Sequence, residues 1–211
     1  MKMTVNPRIG SLVLGLSLLL PMPGRAAETS GERYRSSYTH EAKGEYTQAL
    51  ADIDALSRSE RQTYAYHLRR GWLLYLLGQH WDAIESYRAA SKLEPKAIEP
   101  LLGLMLPKAA LLLWLDVLVT GKAVRSKDPH NYLATSRMAW AYYRLGRFSD
   151  AAQYYRQLLE LYPADVEMRA GLGWSQLKQG KLSAARSTFE AVLAIAPDHA
   201  TATQGLSLLD L

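Results

Sequence analysis

The chain has 211 residues, 48% of them hydrophobic, and contains no cysteine. That absence excludes disulfides, thiolate metal sites, cysteine nucleophiles and a lipidated N-terminal cysteine. The 25 Lys and Arg outnumber the 20 Asp and Glu, for a formal charge of +5, but the excess is gathered at one end.

That end is the first predicted element. Lys2 and Arg8 precede an uncharged apolar run, residues 9–20, which Pro21, Pro23 and Gly24 close. Gly24-Arg25-Ala26 then presents the small-x-small pattern that signal peptidases cut after, so residues 1–27 read as a secretory signal peptide. The run of 12 residues falls short of the ~20 that span a bilayer, which makes an uncleaved anchor the weaker reading. Cleavage after Ala26 or Ala27 would leave an exported, periplasmic chain. Three basic and no acidic residues leave with the segment, so the remainder, 22 basic against 20 acidic, is nearly neutral. A near-neutral chain gives no reason to expect nucleic acid or an anionic membrane as partner.

A 34-residue period occupies residues 30–199. Pro95, Pro129, Pro163 and Pro197 mark it. Placing each at position 32 defines units 30–63, 64–97, 98–131, 132–165 and 166–199, followed by a short segment, 200–211. Position 15 reads Gly44, Gly78, Leu112, Gly146 and Gly180, and position 20 reads Ala49, Ala83, Val117, Ala151 and Ala185. Position 8 is Ser37, Gly71, Met105, Ala139 and Gly173; position 24 is Ile53, Tyr87, Gly121, Tyr155 and Phe189. Glycine at 15 permits the positive φ that ends one helix and reverses the chain. Small residues at 8 and 20 let two antiparallel helices approach, and a bulky residue at 24 fills the space between them. Proline at 32 stops the second helix.

The helix-turn-helix-stop grammar resembles the tetratricopeptide repeat, and Leu145–Pro163 matches its second half closely. The resemblance implies an all-α, right-handed superhelical solenoid of antiparallel helix hairpins, with first helices lining a concave groove. Residues 28–211 then form one repeat domain of five units, capped by a helix over 200–211. Each unit buries its apolar face only against its neighbours. The first unit departs from the pattern at Arg61, Ser37 and His40. The third, 98–131, departs furthest: Leu112 stands for glycine, Gly121 for the large residue, and Pro107 falls inside the first helix. Trp114 or Leu115 is expected to occupy the space Gly121 leaves. The apolar stretch 101–119 also admits a membrane span, but Pro107, Lys108, Asp116 and the intact register favour a divergent repeat. At the C-terminus Leu206, Leu208, Leu209 and Leu211 are expected to turn inward onto the last hairpin; exposed, they would permit self-association.

Position 9 reads Tyr38, Trp72, Leu106, Trp140 and Trp174, and position 12 includes Tyr75 and Tyr143. Positions 5, 9 and 12 share one helix face. In the resembled family that face lines the groove, which implies an aromatic ladder along its inner surface. Two readings stand: the rings fill gaps between neighbouring helices, or they offer apolar faces to an extended ligand. Position 13 carries Arg144 and Lys178, candidate receivers of an anionic group, although solvated charges at a helix end are the plainer reading. Some family members clamp a chaperone's terminal carboxylate with asparagine and lysine; rings at position 9 argue against that specificity here.

No chemistry converges. The five histidines occupy different repeat positions without metal-ligand spacing, and no phosphate loop or nucleophile elbow occurs. No catalysis, cofactor or metal is expected. The expected function is a protein-interaction scaffold of the cell envelope holding a peptide or partner helix at Tyr38, Trp72, Tyr75, Trp140, Tyr143, Arg144, Trp174 and Lys178. The alternative is an accessory of exopolysaccharide synthesis or export, of the cellulose or alginate kind, in which the rings stack on sugar.

Overall fold

The computed structural model describes residues 29–210, where every regular element is helical. The signal-peptide reading of 1–27 lies outside the described residues, as does Leu211. Helices follow one another as antiparallel pairs: α1 (Ser30–Ala42) with α2 (Tyr46–Asp54), α3 (Tyr64–Leu76) with α4 (His80–Leu93), and α5 (Glu99–Ala110) with α6 (Trp114–Lys127). Then come α7 (Tyr132–Arg144) with α8 (Phe148–Leu161), α9 (Val166–Lys178) with α10 (Leu182–Leu193), and the single α11 (Ala200–Ser207). Each helix packs mainly on the next in sequence, so the array is a solenoid.

The turn inside each hairpin is built by one left-handed residue. Gly44, Gly78, Gly146 and Gly180 have φ of 77°, 74°, 73° and 75°, and Leu112 holds φ 60° in the same place. The third unit therefore keeps the turn without the glycine. A leucine there carries the steric cost of Cβ against the following carbonyl, on the order of 1–2 kcal/mol.

First helices start under side-chain caps. Thr29 and Glu32 form a capping box before α1, and Thr63, Asn131, Asp165 and His199 each accept from a backbone N–H in the first turn of α3, α7, α9 and α11. These residues sit at position 34, which ties the end of one unit to the start of the next. Only α5, among the first helices, starts without a side-chain cap; Pro100 in its first turn tolerates that loss, since the amide it lacks would be unpaired anyway.

The packing seam follows a rule of paired sizes. Tyr87 is wedged between Gly71 of its own hairpin and Gly103 of the next; a Cβ on Gly103 would lie 2.3 Å from the ring. Phe189 is held likewise between Gly173 and Gly205, and Tyr155 lies against Gly171. Position 24 thus needs a glycine at position 6 of the following unit wherever it is aromatic. Where it is Ile53 or Gly121, position 6 is Arg69 or Arg137.

The third unit inverts this scheme. The space over Gly121 is filled by Met138 of α7 and Met105 of α5, both fully buried, rather than by Trp114 or Leu115. Leu115 instead faces outward, 65% exposed. Flexible thioethers suit an irregular gap better than a rigid indole fixed at a helix start. Pro107 lies inside α5 without ending it. No helix among the described residues is long and apolar enough to cross a membrane.

At the C-terminal end Leu206 and Leu209 pack on the core around Phe189, and Arg186 binds the carbonyl of Leu209 and the carboxylate of Asp210. Leu208 departs from expectation and points to solvent. Leu208 follows Leu206 by two residues, about 200° around the helix axis, so it cannot share the face on which Ala202, Gly205, Leu206 and Leu209 meet the core.

Candidate functional site

The first helices α1, α3, α7, α9 and α11 place side chains of positions 5, 9 and 12 along two clefts; of the predicted site residues, Tyr75, Arg144 and Lys178 lie outside both linings. Tyr34, Leu68, Ser136, Ala170 and Gln204, all at position 5, line one or the other. The N-terminal cleft, 830 Å³, lies between α1, α3 and the start of α5 and includes Tyr38, Glu41, Tyr64, Arg69, Trp72 and Glu99. The C-terminal cleft, 530 Å³, lies between α7, α9 and α11 and includes Arg137, Trp140, Tyr143, Glu167, Trp174 and Thr201.

The expected aromatic ladder is broken rather than continuous. Trp72 and Tyr75 pair at 5.7 Å, and Trp140 and Tyr143 stack nearly parallel, at 5.5 Å and 7°. Between them the third unit offers Leu106 and Ala109 at the corresponding positions, so no ring bridges the two pairs. Substitution in one divergent unit therefore splits the inner face into two sites.

The three tryptophans are held differently. The Trp72 indole donates to Glu41 at 2.6 Å and packs on the first-unit core. Trp174 donates to the carbonyl of Thr201 at 3.1 Å and meets Phe189 edge-on. Both are half-buried anchors between adjacent first helices. Trp140 is different: it is 46% exposed, with one face on Tyr143 and Arg144 at its flank. Tyr38 is also open, 58% exposed, with the Arg69 guanidinium 3.9 Å from its ring centre. The readings of the rings as packing and as ligand surface thus divide by residue.

The cations divide as well. Arg69 is buried, paired with Glu41, and donates from two nitrogens to Ser37 Oγ. Its counterpart Arg137 donates to the carbonyl of Leu102 at 2.6 Å, and no carboxylate among the described residues pairs with it. Burial pulls the Arg137 guanidinium down from its ordinary value, partly offset by the nearby Tyr75 and Tyr87 oxygens; it still carries its charge at neutral pH. Arg144 is gripped by its faces, 4.8 Å from the Trp114 ring centre and 5.6 Å from that of Trp140. Lys178 is exposed at the end of α9. Trp114 thus covers Arg144 while packing on the edge of the cluster that holds Met105 and Val117, leaving the space over Gly121 to the methionines.

Sequence reasoning missed Arg69 and Arg137. The signal was present in the glycines at position 6, whose alternation with arginine tracks ring size in the preceding unit. It also missed the carboxylates Glu41, Glu99 and Glu167 that surround the rings. Glu99 accepts from the Tyr64 hydroxyl at 2.5 Å, and the Tyr64 hydroxyl is pushed upward by burial and by that bond. No cluster of His, Asp and Glu among the described residues could hold a metal ion.

Known proteins fit this geometry. A sequence model of the tetratricopeptide repeat matches residues 34–98 and 136–200. The break between the two matches, 99–135, coincides with the divergent unit. Over 91 residues the chain is 34% identical to Protein CTR9 homolog of Arabidopsis thaliana, a match that covers 43% of this chain but 8% of the plant protein. A tetratricopeptide repeat protein of Parabacteroides merdae superposes with a TM-score of 0.76 at 21% identity, over 85% of this chain and 71% of that one. MamA of Desulfovibrio magneticus does so at 0.73 and 17% identity, over 79% and 94%. A thermophilic repeat protein of Thermus thermophilus gives 0.64 at 19%, over 87% and 100%. The chain belongs to the tetratricopeptide repeat family, whose members generally act as protein-interaction scaffolds and are typically not catalytic.

Proposed function

We propose that this protein is a scaffold of the cell envelope that captures an extended segment of another protein in its inner groove, chiefly against α7. The observation that carries the reading is Trp140: a large aromatic side chain left 46% exposed in the C-terminal cleft, stacked on Tyr143 and with Arg144 over its ring. An indole held rigid by its neighbours offers contact area at little entropic cost on binding. Tyr38 supplies a second open ring in the N-terminal cleft. Trp72 and Trp174 line the walls, Tyr75 packs on Trp72, and Lys178 is exposed at the end of α9.

Envelope location rests on the sequence of residues 1–27. Intact-mass measurement of the protein recovered from its native cells should show a chain beginning at Ala27 or Glu28. An unprocessed N-terminus would overturn the location. The binding reading is tested by affinity capture with crosslinking, comparing the wild type with Trp140→Ala. Loss of one dominant protein partner is expected, with the helical circular dichroism unchanged. An unchanged partner set would remove α7 from recognition. The exopolysaccharide reading keeps one observation in its favour, the two open rings, and predicts a tryptophan fluorescence change on titration with neutral oligosaccharides.

A further inference from the structure

The inner surface is electrically uneven. In the N-terminal cleft Arg69 is neutralised by Glu41, and Glu99 adds a second carboxylate. In the C-terminal cleft the lining cation is Arg137 and the lining acid Glu167, which is engaged by His199 at 3.2 Å, while Arg144 and Lys178 add positive charge at the ends of α7 and α9. Arg137, Trp140 and Arg144 are related by i, i+3 and i+7, so α7 presents them in a row on one face, the two arginine Cα atoms about 10 Å apart along the axis.

Neither guanidinium is spent on a carboxylate among the described residues. Arg144 lies over the Trp114 and Trp140 rings, and cation–π contact of this kind uses none of its N–H donors. Arg137 uses Nη1 on the Leu102 carbonyl, which leaves further donors of its fork for a ligand. Arg137, half-buried without a counter-ion, is unfavourable in the free protein and favours a partner that brings the missing charge, and the exposed Arg144 is open to the same partner.

We infer that the α7 row Arg137–Trp140–Arg144 receives an extended protein segment in which acidic side chains flank an apolar one, glutamate or aspartate on the arginines and the apolar residue on the Trp140 face. The cleft continues past α7 onto α9 and α11, so the chain passes through instead of ending there, which selects internal side chains over a terminal carboxylate. Glu167 at the far wall disfavours a second acid there. The inference rests on the groove reading and adds its charge selectivity.

The test is calorimetric titration with N-acetylated, C-amidated nonapeptides alternating leucine with glutamate, glutamine or lysine. The glutamate peptide should bind at least about tenfold tighter than the glutamine peptide, with the advantage shrinking as salt rises. Arg144→Gln, an exposed change, and Arg137→Gln should each remove most of that advantage, whereas Arg88→Gln, on the opposite helix layer, should leave it intact. Equal binding of glutamate and glutamine peptides, or a preference that survives both arginine changes, would overturn the charge selectivity while leaving groove binding in place. A neutral or free-carboxylate peptide outcompeting the glutamate peptide would also overturn it, as would failure of all three peptides with binding of an oligouronate instead. Failure of the groove reading itself would show separately, as an unchanged partner set in Trp140→Ala.

Discussion

Leu112 is the residue at which the period fails and the backbone does not. It occupies the left-handed turn, φ 60°, that glycine fills in the other four hairpins, and it is 60% exposed, so its side chain recovers little by burial. Leu112→Gly should therefore raise stability in urea unfolding by about 0.5–1 kcal/mol, the relief of left-handed strain less the added freedom of the unfolded glycine. A loss of stability would mean that the leucine side chain contributes packing the geometry does not show. Gly103 tests the seam. Gly103→Ala puts a methyl into the Tyr87 ring and should cost about 1–3 kcal/mol. The cost should be much smaller in a Tyr87→Ile background, where the residue at position 24 matches the unit that precedes Arg69; additive effects in the double-mutant cycle would contradict the paired-size rule. Glycines at 15 and small residues at 8 and 20 were legible in the sequence because one period repeats them. Arg69 and Arg137 were not, because their reason lies one unit upstream, in the size of another side chain.

At the scale of elements, the hairpins follow from local signals, and the third hairpin shows how much of the local grammar can be lost. Its first helix has no side-chain cap and carries an internal proline, and its second has glycine where the others have a large residue. Tertiary packing makes good the loss. Met105, Val117 and Val124 belong to the same buried cluster as Met138, Tyr155 and Leu172, while Leu104 packs with Ile84 and Tyr87 on the other side. The unit thus shares core with both halves and is not a flexible joint. A single cooperative thermal transition is expected, by calorimetry and far-ultraviolet circular dichroism alike. Two resolved transitions would show 30–97 and 132–210 to unfold independently. The methionines were hidden from sequence reasoning because Met138 comes from the following helix; one unit's vacancy is filled by its neighbour, as nearest-neighbour packing allows.

For the whole molecule, the divergent unit has a consequence beyond stability. It interrupts the inner row of rings and leaves two clefts of different character: one balanced by an internal ion pair and bordered by acid, the other lined by Arg137, which no carboxylate among the described residues pairs with, beside an exposed tryptophan that carries Arg144 over its ring. Position 9 and position 12 are placed on the groove side by helical spacing and the family resemblance, yet spacing does not distinguish Trp72 and Trp174, fixed by hydrogen bonds to Glu41 and Thr201, from Trp140, which is 46% exposed and held by ring and cation contacts alone. That distinction depends on which polar group a neighbouring helix happens to bring within reach. Trp174→Ala should accordingly cost about 3 kcal/mol in stability, and Trp140→Ala far less, read in the same urea titrations; equal costs would mean that Trp140 is packing after all.

The most direct measurement is site-specific photocrosslinking in the native cell, with the photoreactive residue at Ser136, which lines the C-terminal cleft, or at Gln153, exposed on α8 outside both clefts. The account predicts a discrete protein adduct from position 136 that disappears in the Trp140→Ala background, and none from position 153. The same adduct from position 153, or an adduct at 136 indifferent to Trp140, would contradict recognition on the inner face of α7.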